Sequence, residues 1–100
     1  MYHIKVNYKE PKIWIPNVIS TNGDNINDEL EIKGEFFEPV ELAIYDRWGS
    51  KLFYSNSNFK WDGKFNNEFV SIGVYIVHFT YLNQQTGELK SFTQDLTVVR

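Results

Sequence analysis

The chain contains no cysteine. That excludes a disulfide framework, thiol chemistry and any zinc site built on cysteine thiolates. It also has no excess of positive charge: the formal net charge is -3 and the pI about 5.3. There is thus no electrostatic footprint for nucleic acid and no polybasic patch for a membrane surface. No run approaches the roughly 18 apolar residues of a membrane-spanning helix, so membrane insertion is not expected. The first residues, Met1-Tyr2-His3-Ile4-Lys5, lack both the charged start and the apolar stretch of about 7–15 residues that a secretory signal peptide needs. An exported protein of this kind is expected to be a piece of a longer chain, or to carry its address elsewhere. Helical periodicity, internal repeats and low-complexity segments are also missing. The two histidines, His3 and His78, fall on strand faces expected to meet solvent. Neither has a second close histidine or a nucleophile–base partner, so no enzymatic activity is expected.

What is present is aromatic and apolar. Hydrophobic residues make up 42% of the 100 positions and aromatics 17%, with eight Phe, six Tyr and three Trp. The length fits one domain, the apolar content supplies a core, and the aromatic load favours strands. Alternation of apolar and polar residues marks those strands. Tyr2, Ile4, Val6 and Tyr8 share one face. Residues 12–15 form a short extended piece stopped by Pro16, which suits an edge. A polar loop covers residues 17–28, and Leu30 and Ile32 alternate up to Gly34. Val40, Leu42 and Ile44 lead into a turn at residues 46–49, and residues 51–54 return as a hairpin. Trp61-Asp62-Gly63 and Asn66-Asn67 are turn signals. Residues 73–81 are the longest strand, with Tyr75, Val77, Phe79 and Tyr81 inward and His78 and Thr80 outward. The last strand, 89–99, directs Phe92, Leu96 and Val98 to one side. About seven short strands separated by turns predict an all-β, immunoglobulin-like antiparallel β-sandwich.

Two constellations carry candidate chemistry. Asn22, Asp24, Asn27 and Asp28 crowd hard oxygen ligands around Gly23, which suits calcium. The EF-hand spacing is absent, and the same residues are also those of a loop whose side chains satisfy their own main chain. Apart from this calcium candidate, no cofactor is expected. In Asp46-Arg47-Trp48-Gly49, an arginine fork beside an indole is a pairing enriched at binding hot spots. The alternative is a plain hairpin turn in which Trp48 covers the sandwich edge and Arg47 pairs with a nearby acid. For Trp61 the expectation is a core cap, with Asp62-Gly63 making the turn.

Taken in order, these motifs resemble the gliding motility-associated C-terminal domain, the type B C-terminal domain of proteins exported by the type IX secretion system of Bacteroidetes. The resemblance rests on Ile15-Pro16-Asn17 with Asn22-Gly23-Asp24 and Ile26-Asn27-Asp28. It continues through Ile44-Tyr45-Asp46-Arg47-Trp48-Gly49 with Leu52-Phe53, then Trp61-Asp62-Gly63, Gly73-Val74-Tyr75-Ile76 and the final Val98-Val99-Arg100. Departures are Thr21 for proline, Asn25 for glycine, and Asn67 and Ser71 for glycine and proline. Asparagine tolerates positive φ better than other non-glycine residues, so the turns are expected to keep their shape. Residues 13–100 correspond to the family domain. Residues 1–12 are the end of a preceding linker or domain, or an extra first strand.

The resemblance implies a non-enzymatic secretion-targeting module at the C-terminus of a large surface protein or adhesin. It implies export to the cell surface or the medium across the outer membrane. The implied partner is an outer-membrane barrel protein of the secretion machinery, docking to the folded sandwich of one monomeric domain. Residues expected to contribute to recognition are Asn22, Gly23, Asp24, Asp46, Arg47, Trp48, Trp61 and Arg100. A second reading is an adhesive or carbohydrate-binding sandwich, calcium-dependent or not, that stacks sugars on exposed aromatics. A third is a structural stalk domain.

Overall fold

A computed structural model describes residues 10–23 and 28–100. The alternating segment at residues 2–8, with His3, lies outside them. The described residues form eleven strands and no helix: β1 (Lys12–Trp14), β2 (Val18–Ser20), β3 (Leu30–Glu31), β4 (Lys33–Glu35), β5 (Phe37–Tyr45), β6 (Lys51–Ser55), β7 (Lys60–Trp61), β8 (Lys64–Phe65), β9 (Glu68–Phe69), β10 (Gly73–Asn83) and β11 (Leu89–Val99). The fold is all-β and sandwich-like. One layer is a five-stranded sheet in the order β2-β11-β10-β5-β6. Short two-stranded ribbons, β1–β4 and β3–β7, supply the facing side chains, and β8–β9 forms a further hairpin.

The period-2 pattern of β10 explains the core. Tyr75, Val77 and Phe79 are buried, as are Leu42 and Ile44 from β5 and Leu96 and Val98 from β11. Ile15, Leu30, Trp61 and Val70 close the cluster from the other layer. Phe79 is fully enclosed and meets Phe37, Phe59 and Phe92 edge-to-face at 5.9–6.5 Å. Such geometry adds to area burial because ring edges are electropositive and faces electronegative.

Three expectations are corrected. Residues 18–20 belong to a strand, not to the polar loop: β2 pairs in parallel with Thr97, Val98 and Val99 of β11. Ile19 is thereby fully buried, and the exposed β11 edge gains bonds from Thr97 N–H to Asn17 O (2.8 Å) and from Thr21 N–H to Val99 O (2.9 Å). The segment expected to run straight to Gly34 is split at Ile32, because β3 pairs with β7 and β4 with β1. Val40 does not continue the inward row of Leu42 and Ile44. The register of β5 against β10 skips it, with Glu41 opposite Thr80 and Pro39 opposite Tyr81. This bulge shifts the alternation by one, so Phe37 packs on Phe79 and Tyr81. Thr80 lies on the outer face as expected, yet it is only 6% exposed, because β5 and β11 flank it on both sides.

Candidate recognition surface

The strand directions decide which turns meet. Gly73 opens β10 opposite Val98, Tyr45 closes β5 opposite Ile76, and Ser20 closes β2 opposite Val99. The segment after Ser20, the turn after Tyr45, the stretch before Gly73 and Arg100 therefore leave the sheet at one end. The turn after Trp61 joins them, since a Cβ on Gly63 would stand 2.8 Å from the Thr21 methyl. Motifs separated by dozens of residues in sequence thus meet at a single pole.

Asp46 shapes the first turn. Its Oδ1 accepts the N–H groups of Trp48 (2.9 Å) and Ser50 (2.8 Å), while Gly49 N–H donates to Asp46 O (3.1 Å). An aspartate at the first position of a turn does this because its short carboxylate reaches the main chain just ahead. The turn does not fold Trp48 over the sandwich edge. The indole is 76% exposed, and the Arg47 guanidinium lies 4.5 Å from its ring centroid. Arg47 makes no ion pair among the described residues, where the pairs are Lys60–Glu31 and Lys90–Glu88. The guanidinium, which sheds water more readily than an ammonium, stacks on the indole instead.

The Trp61-Asp62-Gly63 turn is built differently. The Trp61 indole is 1% exposed, donates from Nε1 to Lys64 O (3.1 Å) and offers no face to a partner. Asp62 Oδ1 accepts Lys64 N–H at 3.0 Å. The next hairpin turns on Asn66 and Asn67, at φ 54° and 67°, the left-handed pair that a two-residue hairpin loop requires. Val70 N–H then donates to Gly63 O at 2.8 Å.

A cleft of about 380 Å³ separates the Asp46–Trp48 turn from the stretch that leads into β10. Leu52, Val70 and Tyr75 lie in its walls, with Ile72 and Val74 at its rim. The Tyr75 hydroxyl donates to Ser71 O at 2.6 Å and fastens that stretch, as the tyrosine corner does in immunoglobulin-like sandwiches. Burial raises the Tyr75 hydroxyl's pKa above the ordinary value, and the negative charge of Asp46 adds to this. Arg100 and Arg47 oppose it. Arg100 donates from Nη2 to Val70 O at 3.1 Å, with its guanidinium 6.0 Å from the Phe69 ring. Of the oxygen-rich loop, Asn22, Gly23 and Asp28 are described, and Gly23 N–H donates to Asp28 Oδ1 at 3.3 Å. Asp24 and Asn27 lie outside the described residues. Among the described residues no group of three His, Cys, Asp or Glu side chains converges on a metal-sized site.

In the sequence Val74 stands out only within the Gly73-Val74-Tyr75-Ile76 motif and not as a recognition residue, and Ile72 does not stand out. Their signal was present: both are apolar yet out of phase with the inward Tyr75-Val77-Phe79 row, and they are 64% and 48% exposed.

The motif-bearing turns of this small sandwich gather at one pole. The family model of the CHU_C type IX secretion signal domain matches residues 13–94, and the chain belongs to that family. No curated protein and no solved structure matches it. As a type IX secretion signal it is a targeting module that engages secretion machinery, and it implies export to the cell surface or the surroundings. Among the described residues no helix is long and apolar enough to cross a membrane.

Proposed function

We propose that this domain carries a large surface protein, an adhesin by preference, through a type IX system of the Bacteroidetes kind. The folded sandwich docks, motif pole first, onto an outer-membrane barrel component of the translocon. One observation supports this above the others. The turns that carry the motifs meet at the pole where β11 ends, whereas Glu10 and Pro11 line a cleft with Tyr81, Asn83 and Lys90 near the opposite end. Glu10, the first described residue, thus lies away from the motif pole.

The test is a fluorescent reporter with an N-terminal export signal, fused ahead of residues 1–100 and expressed in a type IX-competent host. Surface display or release is expected. Periplasmic retention with a correctly folded domain would overturn the proposal.

A second reading, glycan binding, draws on one specific feature. Trp14, 54% exposed, borders an open groove of about 610 Å³ with Asn17, Gln94 and Asp95. An indole beside amide and carboxylate groups suits a sugar ring. A glycan array discriminates: binding that Trp14→Ala abolishes would favour this reading.

A further inference from the structure

The β11 edge of the five-stranded sheet is filled over only part of its length. β2 covers Thr97, Val98 and Val99. Thr97 N–H donates to Asn17 O and Val99 O accepts from Thr21 N–H, so both groups point away from β10. Main-chain groups alternate between the two neighbours of a strand, and those of Ser91, Thr93 and Asp95 therefore point the same way. Among the described residues no strand meets them. Gln94 reaches the passing segment with its side chain instead, from Nε2 to Ile15 O (3.2 Å) and Pro16 O (3.3 Å). The register of β11 against β10 runs from Leu89 to Val98 without a shift, and no proline interrupts it. A long, regular edge of this kind is a template for another strand. Open clefts of about 610 and 500 Å³ flank it, one at Gln94 and Asp95 and the other at Lys90.

We propose that the occupant of this edge is the chain's own segment 5–9, paired antiparallel with Ser91–Asp95. Three observations select it. First, Glu10 lines the same cleft as Lys90, so the nine residues ahead of it start from the foot of the edge. From Pro11 near Lys90 to Asn17 beside Thr97 the chain runs in the direction of β11, and a segment that reaches Glu10 along the edge must run against it. Second, the length suffices: at about 3.4 Å per residue, residues 5–9 span Ser91 to Asp95. Third, the alternation fits. With Glu10 opposite Lys90, Lys9, Asn7 and Lys5 stand opposite Ser91, Thr93 and Asp95 and exchange main-chain hydrogen bonds on the polar outer face. Lys5 meets Asp95, which forms no ion pair among the described residues. Tyr8 and Val6 stand opposite Phe92 and Gln94, on the face where Phe92 and Ile13 pack against the core. Directly opposed residues share a face, so a slip by one residue would turn Tyr8 and Val6 to solvent. The added strand closes the edge against pairing with other chains. This holds whether or not the secretion reading does.

Amide hydrogen exchange on the 100-residue chain, followed by NMR, tests the pairing. The Ser91, Thr93 and Asp95 amides are expected to exchange slowly, and Val6 and Gln94 to show the short Hα–Hα contact of an opposed pair that exchanges no hydrogen bonds. Asn7→Pro removes the donor to Thr93 and should speed exchange of the three amides by about tenfold or more. The Val77 and Phe79 amides in β10 should keep their protection, which shows that the sandwich itself is intact. Val6→Ser, on the inward row, should act like Asn7→Pro, and Asn7→Ser, on the outward row, should change little. Lys5→Glu sets two carboxylates opposite one another and should speed exchange about two- to fivefold; adding Asp95→Lys should restore it. Rapid exchange at Ser91, Thr93 and Asp95 in the wild type, or protection that Asn7→Pro and Val6→Ser leave intact, would overturn the proposal. Protection that grows with protein concentration would overturn it as well, because the strand would then come from a second copy.

Discussion

Trp61 and Tyr75 lie ring against ring, with centroids 6.1 Å apart and planes inclined at 58°. Each belongs to a motif at the same pole. Trp61 starts the turn seated on Thr21, and Tyr75 anchors the stretch that walls the Arg47–Trp48 cleft. Their contact couples the two turns through the core, so damage at one is expected to reach the other.

Trp61→Ala should therefore cost about 3–5 kcal/mol, the range for deleting a large buried ring. Chemical denaturation measures it. Display and stability should fall together, because the buried indole acts through the fold. Normal stability would contradict its burial.

Phe79→Ala should cost a similar amount, about 3–5 kcal/mol, since its ring is fully enclosed among Phe37, Phe59 and Phe92. A loss below about 1 kcal/mol would place that ring at the surface.

Gly63→Ala and Gly49→Ala form a matched pair. Both glycines have positive φ, 80° and 88°, but only Gly63 has a side chain, Thr21, close above it. Gly49→Ala should cost about 1 kcal/mol for backbone strain alone, and Gly63→Ala about 2–3 kcal/mol. Equal losses would show that the Thr21 contact gives way without cost.

Arg47→Ala should leave the melting temperature within about 2 °C, as expected for an exposed site, while reducing surface display of the reporter. Asp46→Ala should lower both, since two main-chain N–H groups lose their acceptor, at a cost of about 1 kcal/mol. Asp46→Asn keeps an acceptor and should lie between. If Arg47→Ala displays normally, the exposed guanidinium is no contact.

The raised pKa of the Tyr75 hydroxyl makes stability depend on alkaline pH. The folded state holds this proton more tightly than the unfolded chain does. Its contribution is complete below the ordinary tyrosine pKa of about 10 and is lost as pH rises through the folded value. Denaturation from pH 8 upward should show wild type losing more stability than Tyr75→Phe over that window. Parallel curves would show that the hydroxyl titrates as it does in the unfolded chain.

The sequence by itself determined the fold class, because period-2 alternation in 73–81 and 89–99 leaves one arrangement that buries Tyr75, Val77, Phe79, Leu96 and Val98 together. It also determined the turns: Asp46, Asp62, Asn66 and Asn67 act on neighbours only a few residues away, and such local chemistry is written in local order. Family membership was legible for the same reason, since the motif residues are mostly turn residues. Only the tertiary structure decided the rest. Val18–Ser20 is too short to declare itself a strand, and becomes one because the β11 edge offers unpaired main-chain groups. The bulge at Val40 depends on its partner strand. Trp48 is as apolar as Trp61, yet one indole stands out in solvent and the other is sealed inside. The sequence predicts a core cap for Trp61 but leaves Trp48 between an exposed contact and a cover for the sandwich edge. The difference comes from Asp46, whose two main-chain hydrogen bonds hold the hairpin tip clear of the sheet, and from Tyr75, which waits beneath Trp61.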